Sequence, residues 1–245
     1  MTDLSKVYYT PVTIASYDGD LNRRIKPSSI LKYQQEIGEL HLDSVGLKYS
    51  YLYDKGMVFL LTRAMGIIYK APCFEDKVTL STYSCGPKGV NFVRGYEFID
   101  GDGNVLIHSV SLFVLTDPQG HNILRPSAAD IFDIRHNDSI KEKELPQRII
   151  LPDGTKKEDE RVIRFTDIDY NGHLNNAVYA DIAMDYAPIE MSSAPLKRYD
   201  INFLGEAKLG DSLDISTHTG SGDFYISASH ERGKCFTARL VFDVK

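Results

Sequence analysis

The chain has 245 residues, a formal net charge of −6 and a pI near 5.6, with 42% hydrophobic and 25% charged residues. That composition is ordinary for a globular protein of one large or two small domains, and the acidic balance excludes a general affinity for nucleic acid. Three scattered cysteines, Cys73, Cys85 and Cys235, show no CxxC spacing and support neither a disulfide framework nor a zinc site. The opening MTDLSKVYYT lacks a basic-then-apolar leader, and no run approaches the ~18 apolar residues of a spanning helix. The expectation is a reducing, cytoplasmic setting without a membrane span.

In chain order, a short strand-like start (VYYTPVTIAS) leads into the polar loop YDGDLNRRIKPSS. Ile30, Tyr33, Ile37 and Leu40 then recur at helical spacing, with Ser28 or Ser29 as the cap and Pro27 just outside. From Met57 the period changes. MVFLLTRAMGIIY, KVTLSTYSC, VNFVRGYEFI and NVLIHSVSLFVL read as long strands, separated by the turn chemistry of PCFED, GPKG and DGDGN. DGDGN has a superficial likeness to a calcium loop but lacks the later glutamate, so it reads as a hairpin turn. Residues 126–160 are charged and aperiodic, a connector between units at 1–125 and 161–245. The order then repeats: a strand (RVIRF), a polar loop, a helix from about 175 to 187, and strands near KRYDINFL, SLDISTHT, DFYISASH and KCFTARLVFDV.

The repeat holds residue by residue. Asp20-Leu21-Asn22-Arg23-Arg24-Ile25 aligns with Asp169-Tyr170-Asn171-Gly172-His173-Leu174 at an offset of 169 − 20 = 149. Glu75-Asp76-Lys77-Val78 aligns with Gly210-Asp211-Ser212-Leu213 at 210 − 75 = 135, so the first half carries 149 − 135 = 14 extra residues. Two copies of one α+β unit follow, each a long helix wrapped by a curved antiparallel sheet. The Asp-x-Asn element survives in both copies, whereas His173 faces Arg24. A cap alone needs no histidine there, which points to one reactive centre, in the second half.

DYNGH supplies the chemistry for such a centre. Gly172 tolerates backbone angles that other residues avoid. The N–H groups of the following helix start suit a carbonyl oxygen becoming an oxyanion. His173 is a proton carrier, Asn171 a holder of water or carbonyl, and Asp169 an orienting group. An Asx-type turn beside a surface histidine explains the same residues without chemistry. Glu206, in NFLGEAKLGD, is the candidate base, or else a loop glutamate on the surface. The remaining histidines (His41, His108, His121, His136, His218, His230) show no metal-ligand spacing and read as structural or surface, so neither metal nor cofactor is expected.

The motif D-I-D-Y-N-G-H-L-N-N-x-x-Y, with Glu206 placed 206 − 173 = 33 residues after His173, resembles the acyl-acyl-carrier-protein (acyl-ACP) thioesterases of plants and bacteria. GMVFLLTRAMGIIYKAPCFEDKVTLSTYSCGPKGVNFVRGYEFID and SVSLFVLTD resemble that family's N-terminal unit, and the likeness spans roughly residues 5 to 243. The resemblance implies two tandem hot-dog units, with acyl-chain binding in the first and Asp169, Asn171, His173 and Glu206 as the catalytic set in the second. It implies hydrolysis of fatty acyl-ACP to free fatty acid, ending fatty acid synthesis, with an acyl carrier protein as partner. Plant members carry cysteine directly after the glutamate, where this chain has Ala207, which puts a thiol nucleophile in doubt. An acyl-CoA thioesterase, or a hydratase or dehydratase on the same fold, uses similar groups. LKYSYLYDKGMVF reads as tunnel wall, lid or plain core, and Arg23, Arg24, Lys26, Lys141, Lys143, Lys156 and Lys157 as candidate carrier-docking residues. A monomer and a homodimer both fit the repeat.

Overall fold

The structure, a computed structural model, describes residues 2–137 and 139–244. The first half comprises β1 (Thr2–Asp3), β2 (Tyr8–Thr13), α1 (Pro27–Ser44), α2 (Tyr49–Asp54), β3 (Val58–Ile68), β4 (Lys77–Lys88), β5 (Asn91–Ile99) and β6 (Val105–Thr116). After β7 (Ile134–Arg135) and β8 (Lys156–Val162) come α3 (Asn176–Asp185), α4 (Ile189–Ser192), β9 (Leu196–Phe203), β10 (Ser212–Thr219), β11 (Asp223–His230) and β12 (Gly233–Phe242). Ten strands form one antiparallel sheet in the order β2-β4-β5-β6-β3-β9-β12-β11-β10-β8. It is two hot-dog sheets joined edge to edge by β3 and β9, with Gly66 opposite Tyr199 at the seam. A Cβ on Gly66 would meet the Tyr199 ring at 2.3 Å, so only glycine lets that ring lie flat on the junction. Pairing the two edges removes a row of open hydrogen-bonding groups.

The two long helices pack on each other inside the curve of the sheet. Ala177, Ala180 and Ala183 are buried along α3 with Tyr179 and Ile182, so small side chains set a close approach. On α1 the inward face is Ile30, Gln34, Ile37, Gly38 and His41, while Tyr33 and Leu40 are only half-buried. The apolar spacing alone misplaces that face because polar groups occupy it for a reason: Gln34 Nε2 donates to the Tyr199 hydroxyl at 3.0 Å. Neither Ser28 nor Ser29 caps α1. Both are buried within its first turn, and Pro27 stands inside the helix, where its missing N–H costs nothing.

The charged connector is fastened across the outer face of the sheet. Glu142 accepts from the Tyr83 hydroxyl at 2.8 Å and meets His108 Nε2 at 3.0 Å. Arg198 bonds Glu144 at 2.7 Å, and Asn202 exchanges bonds with Gln147 O (2.9 Å) and Ile149 N (2.8 Å). Its lack of periodicity reflects this polar fastening. The strand expected at RVIRF begins earlier, at Lys156, and Phe165–Asp167 forms a 3-10 turn. DGDGN is the β5–β6 turn, closed by Asp100 accepting from the Asp102 and Asn104 N–H groups.

Candidate active site

The 165–175 loop is built by its own polar groups. Asp169 Oδ1 accepts from Asn171 N (2.9 Å) and His173 N (3.4 Å), and its backbone N–H donates to His173 O at 2.9 Å. Gly172 sits at φ 81°, the left-handed region that favours glycine. The turn carries His173 outward and hands the chain to α3, whose N-cap Asn175 accepts from Ala177 N at 2.9 Å. Asp169 therefore serves the backbone of this loop.

Glu206 lies in the loop after β9, and its backbone is fixed from three sides. Leu174 N–H donates to Ala207 O (2.8 Å), the Tyr179 hydroxyl to Gly205 O (3.4 Å) and His230 Nε2 to Glu206 O (3.0 Å). Since His230 Nδ1 accepts from Arg232 N at 3.1 Å, Nε2 carries the ring proton. The Glu206 carboxylate meets His173 Nε2 at 3.1 Å, so the structure brings these two sequence candidates together. Ala207 is fully buried in the core, so a side chain at that position faces away from this contact.

The other oxygen of Glu206 belongs to a residue that the sequence reading set aside. His121 Nδ1 lies 2.7 Å from Oε1, and the His121 and His173 rings stand edge to face at 6.2 Å. His121 comes from the first half, in the turn after β6. There the Asp117 carboxylate accepts the N–H groups of Gln119, Gly120 and Asn122, and these donors, Gly120 foremost, hold its pKa below the usual range. A histidine following a tight Asp-Pro-Gln-Gly turn was the available signal.

Asn171 is exposed, accepts from the Tyr49 hydroxyl at 3.3 Å and hydrogen-bonds the neighbouring Tyr170 side chain through its amide, which leaves one of its two Nδ2 N–H groups for a ligand. Burial first, and Tyr170 next, raise the Tyr49 pKa, so that hydroxyl keeps its proton. At the start of α3 the cap takes Ala177 N–H, and Val178 N–H donates to Asn175 O. The Asn176 N–H, ahead of these, has no protein acceptor among the described residues.

A cavity of about 1150 Å³ opens on these groups and runs into the first half. His121, Asn171, His173, Asn176 and Glu206 line it, together with α1 and α2 residues and apolar side chains such as Leu31, Phe59, Phe92 and Phe113. The LKYSYLYDKGMVF stretch does two jobs. Tyr49 and Tyr53 line the cavity, Met57 joins a core cluster, and Leu52 does both. The wall is not wholly apolar: Arg94 Nη1 lies 3.0 Å from His41 Nδ1, and burial, with Arg94 beside it, pushes His41 down to about 4. Of the expected docking cations none lines this cavity; Lys48 and Lys208 do. Arg23 faces Glu75, Arg24 faces Asp20, and Lys157 lies between Glu160 and Asp214.

Two hot-dog units sharing one sheet, with one carboxylate–imidazole cluster on a long cavity, define a double hot-dog hydrolase. The acyl-ACP thioesterase N-terminal domain matches residues 5–129 and the acyl-ACP thioesterase C-terminal domain residues 152–240; the chain belongs to this family of thioester hydrolases. Three solved structures share the fold along the whole chain. An acyl-ACP thioesterase from Bacteroides thetaiotaomicron is 18% identical, covers 97% of this chain and 98% of its own, and has a TM-score of 0.86. A putative oleoyl thioesterase from Lactobacillus plantarum is 20% identical, with 97% of each chain covered and a TM-score of 0.81. The 12:0-ACP thioesterase from Umbellularia californica is 18% identical, with 98% of each covered and a TM-score of 0.82. Comparison with the curated proteins gave no match.

Proposed function

We propose that this chain carries out its family's reaction, hydrolysis of a fatty acyl-ACP thioester, with His173 and Glu206 as the water-activating pair. The single observation behind this assignment is the 3.1 Å contact between His173 Nε2 and a Glu206 oxygen on the wall of a cavity large enough for an acyl chain. The water oxygen attacks the thioester carbonyl carbon while the pair takes the water's proton. The tetrahedral intermediate then expels the thiolate, the C–S bond breaks, and the proton ends on the departing sulfur. Thiols have a pKa near 8.5, so this leaving group needs little acid help. Asn171 Nδ2 and the Asn176 N–H are the donors for the developing oxyanion, and Asp169 keeps the loop in shape. The first unit, 1–125, holds the acyl chain, the connector at 126–160 joins it to the reactive unit at 161–245, and each CH₂ buried in the cavity contributes ~0.8 kcal/mol.

Lys208, exposed at the cavity rim, offers a contact to an acidic carrier protein. The setting we assign is the cytoplasm, supported by three free cysteines and by a described chain in which no helix is long and apolar enough to cross a membrane. The test is thiol release from fatty acyl-carrier and acyl-CoA thioesters by the wild type and Glu206→Gln. The expected result is carrier-thioester turnover that falls ~10²–10⁴-fold in the variant. Wild-type turnover by a folded Glu206→Gln would remove the assignment.

A further inference from the structure

The carboxylate of Glu206 is reached from both halves of the chain, and the shorter of its two contacts comes from the half that carries none of the candidate loop: 2.7 Å to His121 against 3.1 Å to His173. We infer that His121 is a positioning residue for the reaction: its Nδ1–H holds Oε1 of Glu206 and thereby turns Oε2 toward His173. The inference rests on the reading of His173 and Glu206 as the water-activating pair.

The backbone around Glu206 is already fixed, at Gly205 O by Tyr179, at Glu206 O by His230 and at Ala207 O by Leu174. What remains free is the side chain, and with 39% of it exposed the carboxylate has solvent to turn into. A single bond to His173 leaves rotation about that contact open. A second donor on the opposite oxygen closes it, because two bonds on two oxygens set the plane of the group. The rings of His121 and His173 lie 77° apart, so they do not stack and each approaches its own oxygen.

The turn that delivers His121 is built for the purpose. His121 adopts φ 52°, a conformation disfavoured for a residue with a Cβ. It is held there by Asp117, whose backbone accepts from His121 N (3.1 Å), whose own N–H donates to Asn122 O (3.1 Å), and whose carboxylate takes three further N–H groups. Backbone strain retained by a surrounding network is typical of functional positions. Pro118 and Gln119 of the same turn line the cavity, so one segment both bounds the acyl site and fixes the carboxylate. The N-terminal half thus contributes to the chemistry as well as to binding.

The test uses the full chain with His121→Ala, His121→Asn and His121→Gln, measuring kcat, KM and melting temperature on a fatty acyl-carrier thioester. Asn places an amide N–H where Nδ1–H stands, and Gln places one where Nε2 stands. We expect His121→Ala to lower kcat on the order of 10²-fold, the scale of a misplaced reacting group, with KM nearly unchanged. Asn should recover most of the loss and Gln little. In a Glu206→Gln background His121→Ala should cost nothing more, because His121 acts through that carboxylate. Undiminished kcat in folded His121→Ala, recovery by Gln in place of Asn, or a further loss on top of Glu206→Gln would each overturn the inference. If His121→Ala fails to fold, the contrast between Asn and Gln still decides. Failure of the underlying pair shows separately, as undiminished kcat in Glu206→Gln itself.

Discussion

The loops at 16–26 and 165–175 are the same structure built twice. Each opens with a 3-10 turn, Ser16–Asp18 or Phe165–Asp167. In each, an Asp N–H donates across the loop, Asp20 to Arg24 O at 2.8 Å and Asp169 to His173 O at 2.9 Å. Each ends on the neighbouring loop, Ile25 N to Pro72 O and Leu174 N to Ala207 O, both at 2.8 Å. Even the left-handed residue recurs, as Arg23 at φ 65° and Gly172 at φ 81°. The side chains differ. Arg24 stands for His173, and at the offset of 135, where 206 − 135 = 71, Ala71 stands for Glu206. The first copy closes on a cavity of about 130 Å³, where Arg24 donates to Ser193 O at 2.8 Å, while the second opens on about 1150 Å³. The scaffold is therefore common property of both halves, and on the proposed mechanism chemistry enters through two substitutions on it.

The largest expected effect comes from erasing that difference. His173→Arg and Glu206→Ala each copy the first-half residue onto the second-half scaffold. Because the first copy already accommodates Arg and Ala, both variants should fold, and each should lose ~10²–10⁴ in kcat. Circular dichroism and thiol release together check this. A folded His173→Arg that turns over normally would show that the imidazole is scenery.

A smaller effect should separate the fastenings of the connector on the two halves. On the first half, hydrogen bonds from His108 to Glu142 and then Glu97 outweigh burial and raise the imidazole to about 9 from its ordinary 6.5. A folded-state pKa above the unfolded value gives stability that is fully present below pH 6.5 and is lost as pH rises through about 9. On the second half, Asp200 and then Glu144 push the Arg198 guanidinium further up, so that fastening persists through the same window. Wild type should lose about 2 kcal/mol, discounted for partial exposure, between pH 6.5 and pH 9.5. Melting curves should show His108→Gln without that slope; an equal slope in the variant would refute the clamp.

The repeat and the two long helices were legible because local pattern and internal symmetry carried them, while the pairing of the Asp-x-Asn-x-His loop with a later glutamate came from the family resemblance, and the short helices α2 and α4 were not read. His121 was not, for a physical reason. Its contact with Glu206 exists only once β3 and β9 pair and bring the halves together. The inward face of α1 was misplaced for a related reason: Gln34 is buried by a tertiary partner, Tyr199, that no local spacing announces. Glu206 itself was legible as a candidate, but its dependence on His230 and Tyr179 for backbone placement is again a property of the assembled sheet.

Asp20 and Asp169 give the finest cut between scaffold and chemistry. Asp20 Oδ1 accepts from Asn22 N at 2.7 Å and Arg24 N at 2.9 Å; Asp169 Oδ1 accepts from Asn171 N at 2.9 Å and His173 N at 3.4 Å. If Asp169 only shapes its loop, Asp20→Ala and Asp169→Ala remove equivalent bonds and should each destabilise the fold by about 1 kcal/mol. Their effects on catalysis should diverge, because on the proposed mechanism only the second loop carries a reacting side chain. Asp20→Ala should leave kcat alone, while Asp169→Ala should lower it by loosening His173. The loss should be smaller than that of His173→Arg, and Asn at 169, which keeps an acceptor oxygen for both N–H groups, should restore most of it. An Asp169→Asn enzyme as impaired as Glu206→Gln would instead place the Asp169 charge in the chemistry, and the symmetry between the loops would end at that residue.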